Sequence, residues 1–154
     1  MAGTPAYALR SAAASDAPAI KACIDASYGH YVARIGGLPG PMRDDYAEVI
    51  RTRRSVTVAE LGAAIVGVLV LDLTDQGYCL ETVGVAPGHR GKGLGRTLLE
   101  LAEAEARKAG FDSIFLYTHQ RMTENQALYR KIGYAEFDRR VEDGLPRVYM
   151  RKRL

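Results

Sequence analysis

Apolar positions recur along this chain with two different periods, and each change of period marks an element. From Ser55 to Val85 the period is short: Val56 and Val58, then Val66, Val68 and Val70 interleaved with Leu69 and Leu71, then Tyr78, Leu80, Val83 and Val85. These runs are rich in β-branched residues and are broken at Gly62 and at Asp75-Gln76-Gly77. They predict three strands, 55–60, 64–74 and 77–85. The middle run is apolar at both parities, so both of its faces should be covered. Pro87 and Gly88 stop the third strand. From Leu94 the period lengthens. Leu94, Leu98, Leu101 and Ala102 fall three and four apart, Arg96, Glu100, Glu103 and Arg107 share another face, and Gly110 ends the helix so predicted.

The flanks follow the same logic. Tyr7 to Ala12 reads as a first strand, and Ser15-Asp16 as the N-cap signal of a helix running through Ile20, Cys23, Ile24, Tyr28, Tyr31 and Val32 to about Gly36-Gly37. The segment Gly36-Gly37-Leu38-Pro39-Gly40-Pro41-Met42 reads as a shaped, non-helical loop leading to a second short helix over 44–53. Ile114 to His119 is a further strand. Thr123 and Gln126 fit a capping box for a helix that Gly133 ends. The stretches 136–141 and 147–153 form a last hairpin around Glu142-Asp143-Gly144. The order is β-α-α-β-β-β-α-β-α-β-β, an α/β fold with a mixed, α+β-type sheet in one domain, 1–154.

Composition narrows the function. A charged fraction of 25% and a net charge of +3 go with basic residues interleaved with acids, which argues against a nucleic-acid partner. Arg147 and Arg151-Lys152-Arg153 alternate with apolar positions, as on a solvated edge strand. No apolar run approaches the ~20 residues that span a bilayer, so no membrane partner and a cytoplasmic location are expected. Cys23 and Cys79 are the only cysteines, at core-like positions without metal-ligand spacing. Buried free thiols and no metal are therefore expected.

The chemistry concentrates where the third strand meets the long helix: Val83-Gly84-Val85-Ala86-Pro87-Gly88-His89-Arg90-Gly91-Lys92-Gly93-Leu94-Gly95-Arg96. A helix N-terminus presents unpaired amides and a positive dipole end. Glycine at 91, 93 and 95 lets an anion approach the backbone, and Arg90, Lys92 and Arg96 add full charges. A phosphate or pyrophosphate suits such a loop. It is not a Walker A loop, because Gly93 stands where Ser or Thr should follow Gly91-Lys92. Nor does it have the G-x-G-x-x-G spacing of a dinucleotide fingerprint.

Arg90-x-x-Gly93-x-Gly95, after a strand reading Val83-x-Val85, resembles the cofactor loop of the GNAT superfamily of acyl-CoA-dependent N-acetyltransferases. The element order resembles that family over nearly the whole chain. Asn125, Ala127, Tyr129 and Ile132-Gly133-Tyr134 resemble its final cofactor motif, with shorter spacing from Asn to Ala and Tyr. The resemblance implies that residues 90–96 (Arg90, Gly91, Lys92, Gly93, Leu94, Gly95 and Arg96) grip the pyrophosphate of coenzyme A. It implies that Val83 and Val85 hydrogen-bond the pantetheine arm, that Asn125 contacts that arm, and that Tyr129 lies near the sulfur.

Direct acetyl transfer from acetyl-CoA to a primary amine follows as the expected activity, the amine belonging to a small molecule or a peptide. The alternative is a non-catalytic acyl-CoA-binding regulatory module. The amine must lose a proton from an ammonium of pKa around 10, so a base is useful. Glu81, the one carboxylate on the strand approaching the loop, is the candidate base, and a salt-bridged strand residue is its structural alternative. Tyr129 is the candidate acid for the leaving thiolate, and a core aromatic is its alternative. His119 is open between cleft and solvent. The last strands offer a surface for a homodimer.

Overall fold

The computed structural model describes residues 6–154. Its strands are β1 (Ala8–Ser11), β2 (Ser55–Leu61), β3 (Ala64–Thr74), β4 (Gly77–Val85), β5 (Ser113–His119), β6 (Ala135–Glu142) and β7 (Leu145–Arg153). Its helices are α1 (Ala17–Tyr28), the single turns α2 (Val32–Ile35) and α3 (Gly40–Arg43), α4 (Tyr46–Thr52), α5 (Leu94–Lys108) and α6 (Thr123–Lys131). All seven strands form one sheet in the order β1-β2-β3-β4-β5-β7-β6. Every pairing is antiparallel except β4 with β5, which α5 connects as a crossover. The element order is the expected one once α2 and α3 are counted with the linker. Among the described residues no helix is long and apolar enough to cross a membrane.

The alternation in β3 explains the layering. Leu69 and Leu71 point to one face, where Leu94, Leu98, Ala102 and Ala106 of α5 cover them. Val68 and Val70 point to the other, under Ile20, Cys23 and Ile24 of α1 and Val49 of α4. Both helices approach closely because the strands offer glycine beneath them. A Cβ on Gly84 would lie 3.0 Å from Ile24 Cδ1 and 3.2 Å from Ser27 Oγ, and one on Gly67 would lie 3.0 Å from Leu94 Cδ2. Cys23 and Cys79 are free and buried, as expected.

Four local readings need correction. The segment 36–42 is not wholly irregular, because α3 begins inside it; Pro41 stands in its first turn, where a missing N–H costs nothing. The first helix gives way to a 3-10 turn, Gly29–Tyr31, before α2, which ends on left-handed Gly36. Thr123 is not a cap: Met122 precedes α6, and the Gln126 amide instead donates to the carbonyls of His119 and Gln120. Finally, β7 is not an edge strand. It lies between β5 and β6, and two of its cations are engaged: Lys152 meets the buried Glu103 of α5 at 2.8 Å, and Arg151 stacks on Phe115 and Phe137.

Candidate active site

The site begins with an irregularity in β4. Val70 pairs with Thr82 and Leu71 with Leu80, so Glu81 has no partner on β3. A bulge of this kind bends a strand and sharpens its twist. β4 accordingly meets β5 only at Cys79–Phe115 and Leu80–Leu116. Beyond them the two strands part, and β4 from Glu81 to Val85 faces a gap. The Ala86 N–H donates to Val66 O at 2.9 Å, which makes Val85 and Gly67 a non-hydrogen-bonded pair. The backbone groups of Val85, and of Val83 two residues back, therefore point into the gap. Helix α1 occupies three of them. Ser27 Oγ accepts from the Val85 N–H and donates to the Val85 carbonyl, both at 2.9 Å. The Tyr28 hydroxyl donates to the Val83 carbonyl at 2.7 Å. The Val83 N–H remains as a donor.

Two cavities meet at this gap. A groove of about 1020 Å³ runs toward the start of α5, and a smaller cavity of about 240 Å³ lies toward α3, α4 and the β6–β7 turn. Tyr28, Val83, Asn125 and Tyr129 line both.

At the outer end of the groove Gly91 and Gly93 adopt φ of 73° and 86°, a left-handed backbone that glycine alone takes without strain. The first hydrogen bond into α5 runs from Thr97 N–H to Gly93 O at 3.0 Å. The N–H groups of Leu94, Gly95 and Arg96 thus have no intrahelical partner. Arg90 lines the groove and donates to Ser27 O at 2.6 Å, tying the loop to α1. Arg96 also lines it, exposed and, among the described residues, paired only with Glu100 at 3.1 Å. Open amides, a dipole end and two arginines fit a pyrophosphate.

The sequence-predicted cofactor residues divide in three. Val83, Val85, Arg90, Gly95, Arg96, Asn125 and Tyr129 all stand on the groove. Gly91, Lys92 and Gly93 shape the turn at its mouth. Leu94 does not face it: its side chain is 2% exposed and packs into the core over Gly67, leaving only its N–H toward an anion.

The smaller cavity holds the titratable groups. Glu81 accepts from Arg53 Nε through both oxygens, at 2.9 and 3.0 Å. Burial nonetheless raises its pKa above the ordinary carboxylate value, with Arg53 opposing. Glu81 is thus the salt-bridged strand residue of the sequence-drawn alternative, and it also lines the cavity. Asp44, half-buried in the same lining, is likewise raised by burial. Tyr129 is 8% exposed, and burial pushes its phenol up to about 12. Among the described residues its hydroxyl has no hydrogen-bond partner, although its ring packs edge-on against Tyr134 at 5.7 Å. His119 faces the cavity and not solvent.

Sequence reasoning missed Ser27, Tyr28, Arg53 and Arg147. Tyr28 carried the one usable signal, an aromatic at the end of a helix whose inner face was already satisfied by Ile20 and Ile24.

A model of the acetyltransferase (GNAT) family matches residues 21–134. An IAA acetyltransferase from Azospirillum brasilense is 41% identical over 85 residues, 54% of this chain and 52% of that protein. The chain thus spans about half the length of that curated relative. Among solved structures, a GNAT-family protein from Desulfovibrio desulfuricans superposes with a TM-score of 0.77 at 20% identity, over 96% of this chain and 99% of the other. The PaiA N-acetyltransferase of Thermoplasma acidophilum, solved with coenzyme A, gives 0.72 at 20% identity, over 97% and 99%. With the family model spanning most of its length and the same fold in both structures, the chain belongs to the acetyltransferase (GNAT) family.

Proposed function

We propose that the whole chain, 1–154, works as one cytoplasmic N-acetyltransferase domain that moves an acetyl group from acetyl-CoA to a primary amine by direct attack. The observation that carries this reading is the meeting of the two cavities at Val83 and Tyr129. A donor in the groove and an acceptor in the smaller cavity would touch only there. A coenzyme A thioester, when bound, supplies the activated acyl group.

The residues of the chain supply the rest. The amides opening α5, with Arg90 and Arg96, hold the diphosphate. Asn125 and the gap-facing backbone of Val83 and Val85 align the arm. The Val83 N–H stands where a carbonyl oxygen gathers charge, a fixed donor that needs no reorganisation. Glu81 receives the ammonium proton, and Tyr129 keeps its own proton for the sulfur. A regulatory module that binds acyl-CoA without turnover would need the groove but not the second cavity.

Two measurements test the proposal. Calorimetric titration with acetyl-CoA should give one-site binding that Arg90→Ala weakens, and free thiol should appear when an amine is added. Binding without thiol release from any amine would favour the regulatory module. For Glu81 the pH profile decides. A base acts only when ionised, so kcat/KM should rise with pH through a pKa above the ordinary 4.5 of a glutamate, in the direction set by burial. Glu81→Gln should lose that rising limb, and a mutant that keeps it removes Glu81 from the proton path.

A further inference from the structure

The smaller cavity is lined by groups of both signs. Asp44 and Glu81 bring carboxylates, the latter paired with Arg53, and Arg147 and His119 also line it. Arg147 and His119 are register partners across β7 and β5, so their side chains share a face. Tyr117 lies on that face too, and the Arg147 guanidinium stacks over its ring at 4.5 Å. Gly40 makes room for the guanidinium, because a Cβ there would lie 3.1 Å from Arg147 Nη2.

What separates Arg147 from its neighbours is its lack of commitment. Arg53 in the same cavity spends its Nε on Glu81. Arg147 donates no side-chain hydrogen bond to any described residue. Among the described residues its one ion-pair partner is Glu142, whose Oε1 stands 3.5 Å from Nη1 and already accepts from the Tyr149 hydroxyl. Yet the Arg147 side chain is only 16% exposed. A guanidinium that is mostly withdrawn from water, held by one long ion pair and donating no hydrogen bond, has donors left for an anion.

His119 points the same way. Its Nδ1 accepts the Arg121 N–H at 3.0 Å, so in the neutral ring the proton sits on Nε2. Burial, with Arg121 and Arg147 nearby, lowers its pKa and keeps the ring neutral. His119 is then a hydrogen-bond donor and not a base. Asp143 also lines this cavity, at the turn between β6 and β7.

We propose that the acceptor is a small amine that also carries a carboxylate, an amino-acid-like zwitterion, with Arg147 and His119 taking the carboxylate while Asp44 and Glu81 receive the ammonium. The proposal rests on the acetyl-transfer reading and names the substrate class of that same site. A fully cationic acceptor would leave the open donors of Arg147 facing a like charge.

The test is a matched panel of α-amino acids, their amides and the corresponding decarboxylated amines. Thiol release from acetyl-CoA reports turnover, and thermal shift by the amino acid alone reports binding. Wild-type kcat/KM should favour the acid over its amide by about 10–100-fold, the value of a charged hydrogen bond. In Arg147→Ala that ratio should fall toward one, mainly through KM, and Arg147→Lys should restore part of it. Titration with acetyl-CoA checks that each variant is folded. Acids and amides used alike by the wild type, or a ratio unchanged in a folded Arg147→Ala, would overturn the proposal. If the amino acid shifts the melt of the wild type but not of Arg147→Ala, and no amine is acetylated, the anion subsite stands and the transfer reading falls.

Discussion

Tyr129→Phe is expected to lower kcat by about 100-fold, at the lower end of what a positioned acid contributes, with little change in acetyl-CoA affinity. The substitution removes one oxygen and keeps the ring, so the edge-on contact with Tyr134 survives. The loss should fall on turnover because the phenol makes no other use of its proton. With its pKa pushed up to about 12, it stays protonated through the neutral and mildly alkaline range, and wild-type kcat should not fall there on its account. A thiolate leaving beside it has a donor that costs no water-mediated transfer. Steady-state kinetics with a thiol reagent measures the effect. An unchanged kcat would return Tyr129 to the role of a core aromatic.

Leu98→Ala is expected to destabilise the fold by about 2–5 kcal/mol, the range for emptying a buried leucine site. Leu98 is fully buried on α5, over the glycine of β3. The surrounding strands cannot collapse into the space, because Leu69 and Leu71 are held by pairing on both sides. Against a total stability of about 5–15 kcal/mol, such a loss is a large fraction. Urea unfolding should show a lower midpoint with the slope unchanged. Leu128→Ala on α6, at a side chain 46% exposed, should change stability by less than about 0.5 kcal/mol. A Leu98→Ala loss no larger than that would mean α5 is held mainly by its ends and not by its apolar stripe.

Much of this was written in the periods of the sequence. The alternation of Val68 and Val70 against Leu69 and Leu71 foretold a two-faced strand, and the repeat from Leu94 foretold α5. The turn at Gly91 and Gly93 was legible because a left-handed backbone leaves few residues to choose from. What stayed hidden depends on distance or register. The bulge at Glu81 changes no pattern, since a carboxylate among apolar residues reads the same with or without a partner strand. The Arg53–Glu81 pair joins residues far apart in the chain, and the Arg147–His119 pairing needs β7 to lie beside β5. Arg147 looked like an edge-strand cation because alternation is identical on edge and interior strands. Leu94 belongs to the loop through its N–H alone: in a phosphate loop the main chain makes the contact, so membership in the motif says nothing about where the side chain goes. Pro39 and Pro41 suggested an irregular loop, although proline is at home in the opening turn of a helix.

The parting of β4 and β5 exposes a length of unsatisfied main chain in the middle of the sheet, the kind of edge on which stray polypeptides assemble. Ser27 and Tyr28 stopper it from within. On the proposed reading, a pantetheine that bonded Val85, or the Val83 carbonyl, would have to displace these hydroxyls, and only the Val83 N–H would be gained without loss. The same hydroxyls keep the seam closed to foreign strands.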